Sequence, residues 1–91
     1  MLEKETLKLK DAEIGKPYCI SGFSDDMPHK EIQKLNERGV VKGYRLLVIY
    51  KGGNRNPYII GVEEARIGIA AKLAEEIIVY DPDKCLEDQL P

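Results

Sequence analysis

A chain of 91 residues has room for one domain, near the lower end of the size that can bury its own core without metal or disulfide staples. Its 14 lysines and arginines against 16 aspartates and glutamates give a net charge of −2, which excludes a global field drawing it to nucleic acid or anionic lipid. The two cysteines lie in unlike contexts, no stretch approaches about 20 apolar residues, and no signal-peptide core is present, so the sequence predicts a cytoplasmic protein.

The N-terminal part predicts a lead-in followed by a strand. Residues 1–10 alternate charged side chains with leucines and are interpreted as a lead-in to the domain. The run YCISGF at residues 18–23 has strand composition, and Gly22 indicates a bulge or an early end. Cys19 is expected to be a small buried side chain, since free cysteine is often buried.

A helix is predicted over residues 28–38. Asp26 is expected to be its N-cap, accepting from the first free N–H groups. Ile32 and Leu35 fall three apart on one face, and Gly39 is placed to end the helix in a left-handed conformation.

A long hairpin is predicted next. Residues 43–50, GYRLLVIY, are rich in branched and aromatic side chains, and residues 57–62, PYIIGV, form the return strand. Between them KGGNRN supplies a loop in which Gly52 and Gly53 are expected to provide positive φ.

The C-terminal part predicts two more strands joined by one helical turn. Glu63 and Glu64 form a tight turn that is chemically weak, because such turns favour Gly or Asn where φ is positive. Residues 66–69 alternate as a strand, residues 71–76 are predicted to form one turn of helix, and residues 77–79 return to strand composition.

Five short strands with one inserted helix predict a mainly β, small, partly open barrel over residues 11–80. Residues 81–91 carry too little apolar content to pack and are predicted to be a disordered tail.

Five motifs follow one another along the chain: GKPYCI, KLNERG, VVKGYRLLV, PYIIGV and the closing pattern I-G-I-x-x-x-L-A-x-x-I-x-V. Together and in this order they resemble the FeoA family, ferrous iron transport protein A. The resemblance covers roughly residues 7–80 and departs from the family pattern at Arg38, Glu64 and Ala70.

The resemblance implies an SH3-like barrel with an accessory role in bacterial ferrous iron uptake. Such a cytoplasmic protein would act by protein contact on the FeoB transporter or its GTPase domain, and would meet the membrane only through that transporter. The same module occurs at the C-terminal end of metal-responsive transcription regulators of the DtxR kind, where it serves as an interaction domain. A generic SH3-like interaction module with no direct iron role is therefore the alternative.

Catalysis is not expected. The sequence has no Gly-rich phosphate loop ending in GK[ST], so it does not predict a P-loop GTPase. A Cys/His nucleophile pair would need Cys19 or Cys85 beside His29 together with a third group to orient the base. No cofactor is expected either.

Weak ferrous iron binding is an alternative that the residues leave open. Asp25, Asp26 and His29 offer two carboxylates and a nitrogen within five residues, a set that a divalent first-row metal could use. The positive end of a helix repels a cation, so a capping role for the aspartates is favoured over a metal site.

The candidate partner surface comes from the second predicted strand. Leu46, Val48 and either Tyr44 or Tyr50 are expected to point inward. The outward residues then form an apolar patch with a basic rim, unless Leu7, Leu9 or the helix lies across it. Nucleic-acid binding through Lys42, Arg45, Lys51 and Arg55 is the least favoured alternative, because the chain is acidic. The candidate partner-binding residues are Arg45, Leu47, Ile49, Ile59 and Arg55.

Overall fold

The computed structural model describes residues 5–53 and 55–82. Within them, six strands form one antiparallel sheet in the order β1-β6-β2-β3-β4-β5. The sheet stays open, since β1 pairs only with β6 and β5 only with β4. The elements in chain order are β1 (Thr6–Lys8), a 3-10 turn (Leu9–Asp11), β2 (Pro17–Phe23), α1 (His29–Glu37), β3 (Arg45–Tyr50), β4 (Tyr58–Val62), β5 (Ala65–Ile69), α2 (Ala71–Ala74) and β6 (Ile77–Tyr80).

The fold class predicted from the sequence is confirmed, and the lead-in adds a sixth strand to the five expected. β1 pairs with β6, with Leu7 opposite Val79. Leu9 follows directly and is fully buried. Residues 5–10 therefore belong to the packed body of the described protein.

The core lies against one face of the sheet, because alternate strand residues point to the same side. In β3, Leu46 and Val48 are buried while their neighbours are exposed. Cys19 is buried as expected. The expected irregularity at Gly22 is present as a register shift between β2 and β6. The large side chains with almost no exposure are Leu9, Ile20, Val40, Leu46, Val48, Ile60, Ile69, Ile77 and Val79.

The helix forms where it was predicted, but its cap differs. Asp26 is not an N-cap, because Pro28 occupies that position and no side chain caps the helix. The Asp26 N–H instead donates to the Ser24 hydroxyl oxygen at 3.1 Å, which draws this residue into a turn before the helix. Leu35 is buried, and Gly39 adopts φ 106° just beyond the end, as expected.

The expectation that a tyrosine of β3 points into the core is wrong. Tyr44 is 42% exposed and Tyr50 is 50% exposed. The β3–β4 register shifts between Val48 and Tyr50, so that Tyr50 pairs with Ile59 and the alternation is broken at the strand's end.

The expected use of the loop glycines is also wrong, since neither Gly52 nor Gly53 has positive φ. Gly52 is needed because the backbone on the other side of the loop leaves no room for a side chain at this position. A Cβ there would overlap the backbone of Asn56 and Pro57. The loop therefore closes by a near contact of two backbone segments.

Residues 83–91 of the predicted tail lie outside the described residues. The first tail residue, Asp81, is buried and ion-paired. Among the described residues, the helices are too short and too polar to cross a membrane.

Candidate partner-binding surface

The outward face of β3, β4 and β5 carries an apolar patch. Leu47 and Ile49 are each 39% exposed. Leu47 pairs across the sheet with Gly61, and Ile59 pairs with Gly68. A Cβ on Gly61 would lie 3.3 Å from Ile49 Cδ1, and one on Gly68 would lie 3.9 Å from Ile59 Cδ1, so the isoleucine side chains lie over the two glycines. These five residues, Leu47, Ile49, Ile59, Gly61 and Gly68, are called the outer patch below.

The N-terminal leucines do not cover the outer patch. Leu9 is fully buried in the core cluster, and Leu7 packs against that cluster. Ile32 and Leu35 of α1 also pack there. Among the described residues, neither the N-terminal leucines nor α1 therefore covers the outward side chains of β3.

Two arginines lie beside the outer patch. Arg45 precedes Leu47 on the same face of β3, and Arg66 pairs with Gly61 from β5. Both are exposed, and neither forms an ion pair within residues 5–53 and 55–82. Sequence reasoning did not include Arg66, although its alternation with the buried Ile67 was the signal that places it outward.

Two further basic residues, Lys51 and Arg55, follow β3. Arg55 lines a groove with Pro57 and Ala71. A Cβ built on Gly68 would lie 3.8 Å from Pro57 Cβ, so this groove borders the outer patch. The Lys51 ammonium instead donates a hydrogen bond to the Lys10 carbonyl at 2.9 Å. Arg45 and Arg66 are therefore the basic residues on the sheet beside the outer patch, and Arg55 lies in the groove at its margin.

The three metal-ligand candidates are not gathered into a site. Asp25, Asp26 and His29 are exposed residues before and at the start of α1. The part of the chain that the structure describes holds no group of three or more His, Cys, Asp or Glu side chains placed to bind a metal ion.

A groove of about 500 Å³ runs between the start of α1 and α2. The Ser24 hydroxyl donates to the Glu76 carboxylate at 2.6 Å, and the Lys10 ammonium approaches Glu75 at 3.9 Å. These contacts already engage two of its carboxylates. The groove is lined by Asp26, Pro28, Glu31, Lys72, Leu73, Glu75 and Glu76.

An ion pair between a partly exposed lysine and a buried aspartate joins the end of β6 to the start of β2. The Lys16 ammonium lies 2.7 Å from the Asp81 carboxylate, whose side chain is 6% exposed. Glu13 approaches the same ammonium at 3.7 Å, and the Tyr18 ring centre lies 5.8 Å away. The hydrogen bond to Asp81 raises the pKa of Lys16 above its ordinary value, with further contributions from these neighbouring charges.

Comparison with known proteins identifies the family. The model of the FeoA domain matches residues 7–81. The chain belongs to the FeoA family. Among curated proteins none matches this sequence. The family is linked to ferrous iron transport, is an SH3-like domain, and is not a known enzyme family.

Solved structures share the fold. The crystal structure of an iron uptake regulatory protein, FeoA, superposes with a TM-score of 0.69 at 24% identity, covering 82% of this chain and 95% of that one. The zinc-bound FeoA of Stenotrophomonas maltophilia, described as a prokaryotic SH3 domain protein, gives a TM-score of 0.66 at 21% identity, covering 80% of this chain and 88% of that one. A manganese-dependent transcriptional repressor gives 0.76 at 16% identity, covering 88% of this chain but 44% of the repressor. At these identities the likeness shows the fold alone.

Proposed function

We propose that this FeoA-family protein is a cytoplasmic accessory of bacterial ferrous iron uptake that binds the GTPase domain of a FeoB-type transporter through the outer patch. The single observation that carries the proposal is an apolar face that residues 5–53 and 55–82 leave uncovered, bordered by Arg45 and Arg66, on a domain of this family. The S. maltophilia relative is described as a candidate activating factor of ferrous iron transport, which supports the same role here.

The chemistry of the outer patch fits a small, reversible interface. Burying the exposed parts of Leu47 and Ile49 is worth about 1 kcal/mol each, since complete burial of such a side chain is worth about 1.5–3 kcal/mol. The exposed Arg45 and Arg66 add attraction to carboxylates of a partner and raise the rate of association. An apolar segment flanked by acidic residues is therefore the partner surface that complements it.

The test is an amide-resolved NMR titration of the chain with the cytoplasmic GTPase domain of the cognate FeoB, run anaerobically with and without ferrous iron. We expect shifts concentrated at Arg45, Leu47, Ile49 and Ile59. Leu47→Glu and Ile49→Glu should abolish them, because a carboxylate would be buried in an apolar contact. Gln33→Glu, which adds the same charge on exposed α1, should not.

Two results would count against the proposal. Loss of cooperative unfolding in Leu47→Glu would show that this residue belongs to the core. Shifts confined to Asp25, Asp26 and His29 on adding ferrous iron alone would instead reveal direct, weak metal binding by this protein.

A second candidate function is a protein-interaction module with no direct iron role. The likeness of this chain to part of a manganese-dependent repressor favours it. No shifts with the GTPase domain, together with binding of the outer patch to another protein of the same cell, would support this alternative.

A further inference from the structure

The place where the chain leaves the sheet lies close to the outer patch. β6 ends at Tyr80, which pairs with Cys19 of β2, and Cys19 pairs on its other side with Arg45 of β3. β6 and β3 both run antiparallel to β2, so they run in the same direction. The end of β6 at Tyr80 therefore lies level with Arg45, the start of β3, with only β2 between the two strands.

The exit point is fixed. The ion pair of Lys16 with Asp81, at 2.7 Å, holds the first residue after β6 against the start of β2. On β2, Pro17 pairs with Leu47 and is exposed, and the exposed Ile14 next to it bridges to Val48 of β3, so the surface between the exit point and the outer patch is apolar.

The segment that follows has complementary chemistry. Residues 83–91, DKCLEDQLP, lie outside the described residues and contain Leu86 and Leu90 with three carboxylates, Asp83, Glu87 and Asp88. Two leucines match the apolar side chains of the outer patch, and the acidic residues match Arg45 and Arg66, which have no ion pair among the described residues.

The distance is well within reach. Crossing from β6 to β3 covers two strand spacings, about 10 Å, while nine extended residues span up to about 30 Å. Because the segment is covalently attached, its effective concentration at the outer patch is in the millimolar range, so that even weak contacts are populated.

We propose that residues 83–91 bind the outer patch of the same molecule and must be displaced before a partner binds. The competition with a partner rests on the function proposed above, whereas the intramolecular contact does not. The segment thereby regulates access to the apolar surface and covers Leu47 and Ile49 when no partner is present.

Paramagnetic relaxation tests the contact in the full chain without a partner. A nitroxide is attached to Cys85 in the Cys19→Ala variant, and a diamagnetic analogue gives the reference intensities. We expect loss of amide signal intensity at Leu47, Ile49 and Ile59, while the amides of α1 keep theirs.

Variants of the segment make the result specific. Replacing Leu86 and Leu90 with Ser should restore the lost intensities, whereas Gln89→Ser should not. Intensities at the outer patch that are unaffected by the nitroxide, or broadening that persists in the double serine variant, would overturn the contact.

Removal of residues 83–91 tests the competition. If the segment occupies the outer patch in about nine molecules in ten, its removal should tighten binding of the GTPase domain about tenfold. Unchanged affinity would overturn the regulatory role. If neither form binds the GTPase domain, the proposed function fails while the relaxation result still decides whether the segment contacts the outer patch.

Discussion

Glu63 has the least favourable backbone conformation among the described residues that are not glycine. Its φ of 56° lies in the left-handed region, which only this non-glycine residue adopts within residues 5–53 and 55–82. The conformation costs about 1–2 kcal/mol for a residue with a Cβ. The tight β4–β5 turn imposes this cost, and the sequence had already indicated that a glutamate pair is a poor choice there.

We expect Glu63→Gly to stabilise the protein by about 1 kcal/mol, because glycine removes the steric cost but loses more entropy on folding. The melting temperature should rise by about 4–8 °C in calorimetry. Glu64→Gly is the matched control. Its φ is not positive, so the same change should lower stability instead. Equal effects at both positions would contradict the assignment of strain to Glu63.

At the scale of elements, β1 and the turn after it close the core beside β6. Leu9 is fully buried, so Leu9→Ala should lower the free energy of unfolding by about 2–5 kcal/mol. Leu47→Ala removes the same atoms from the outer patch and should change it by less than about 1 kcal/mol. Urea unfolding of both variants measures the difference. Similar losses would mean that β1 does not close the core.

The strands with strong alternation of buried and exposed residues could be predicted from the sequence. The features that depend on strand pairing, which are the orientation of Tyr50 and the strand β1, could not. Leu46 and Val48 were placed inward correctly, because period-two alternation in a branched run indicates the buried face. Tyr50 was placed wrongly, since the register shift beside it is set by β4 and leaves no signal in β3 alone. β1 is three residues long and gains its order only from pairing with β6.

The candidate surface could be predicted only in part, because alternation within one strand is visible in the sequence and the order of the strands is not. The outward set Arg45, Leu47 and Ile49 follows from one strand's alternation. Arg66 and Gly61 join it only through the β3–β4–β5 order, which is a property of the sheet. The place of Arg55 in the groove with Pro57 and Ala71 could not be predicted, because the course of a loop does not follow from its composition.

At the scale of the whole molecule, the two faces of the open sheet have different roles: one packs the core, and the other carries the proposed partner-binding surface. Its inner face holds the core, whereas its outer face displays apolar side chains and two arginines on a chain whose net charge is −2. Local positive charge on an acidic protein favours an acidic partner segment without attracting nucleic acid in general. The pair of Lys16 with Asp81 joins the start of β2 to the end of β6, which are neighbouring inner strands of this sheet, so the free energy of unfolding should depend on that pair.

The pH dependence of unfolding tests this pair. The pKa of Lys16 is raised above its ordinary 10.5 in the folded protein by its hydrogen bond to Asp81. Folding therefore favours the proton, so the stabilisation is complete below about pH 10.5 and is lost as pH rises through the folded-state pKa.

Urea unfolding at a series of pH values from 8 to 12 should show the wild-type advantage over Lys16→Met shrinking at the alkaline end. Lys16→Arg keeps its charge over this range, so its free energy of unfolding relative to Lys16→Met should stay constant. A wild-type advantage that is independent of pH would mean that Lys16 stabilises the fold by packing its methylene groups, and that the charge contributes nothing.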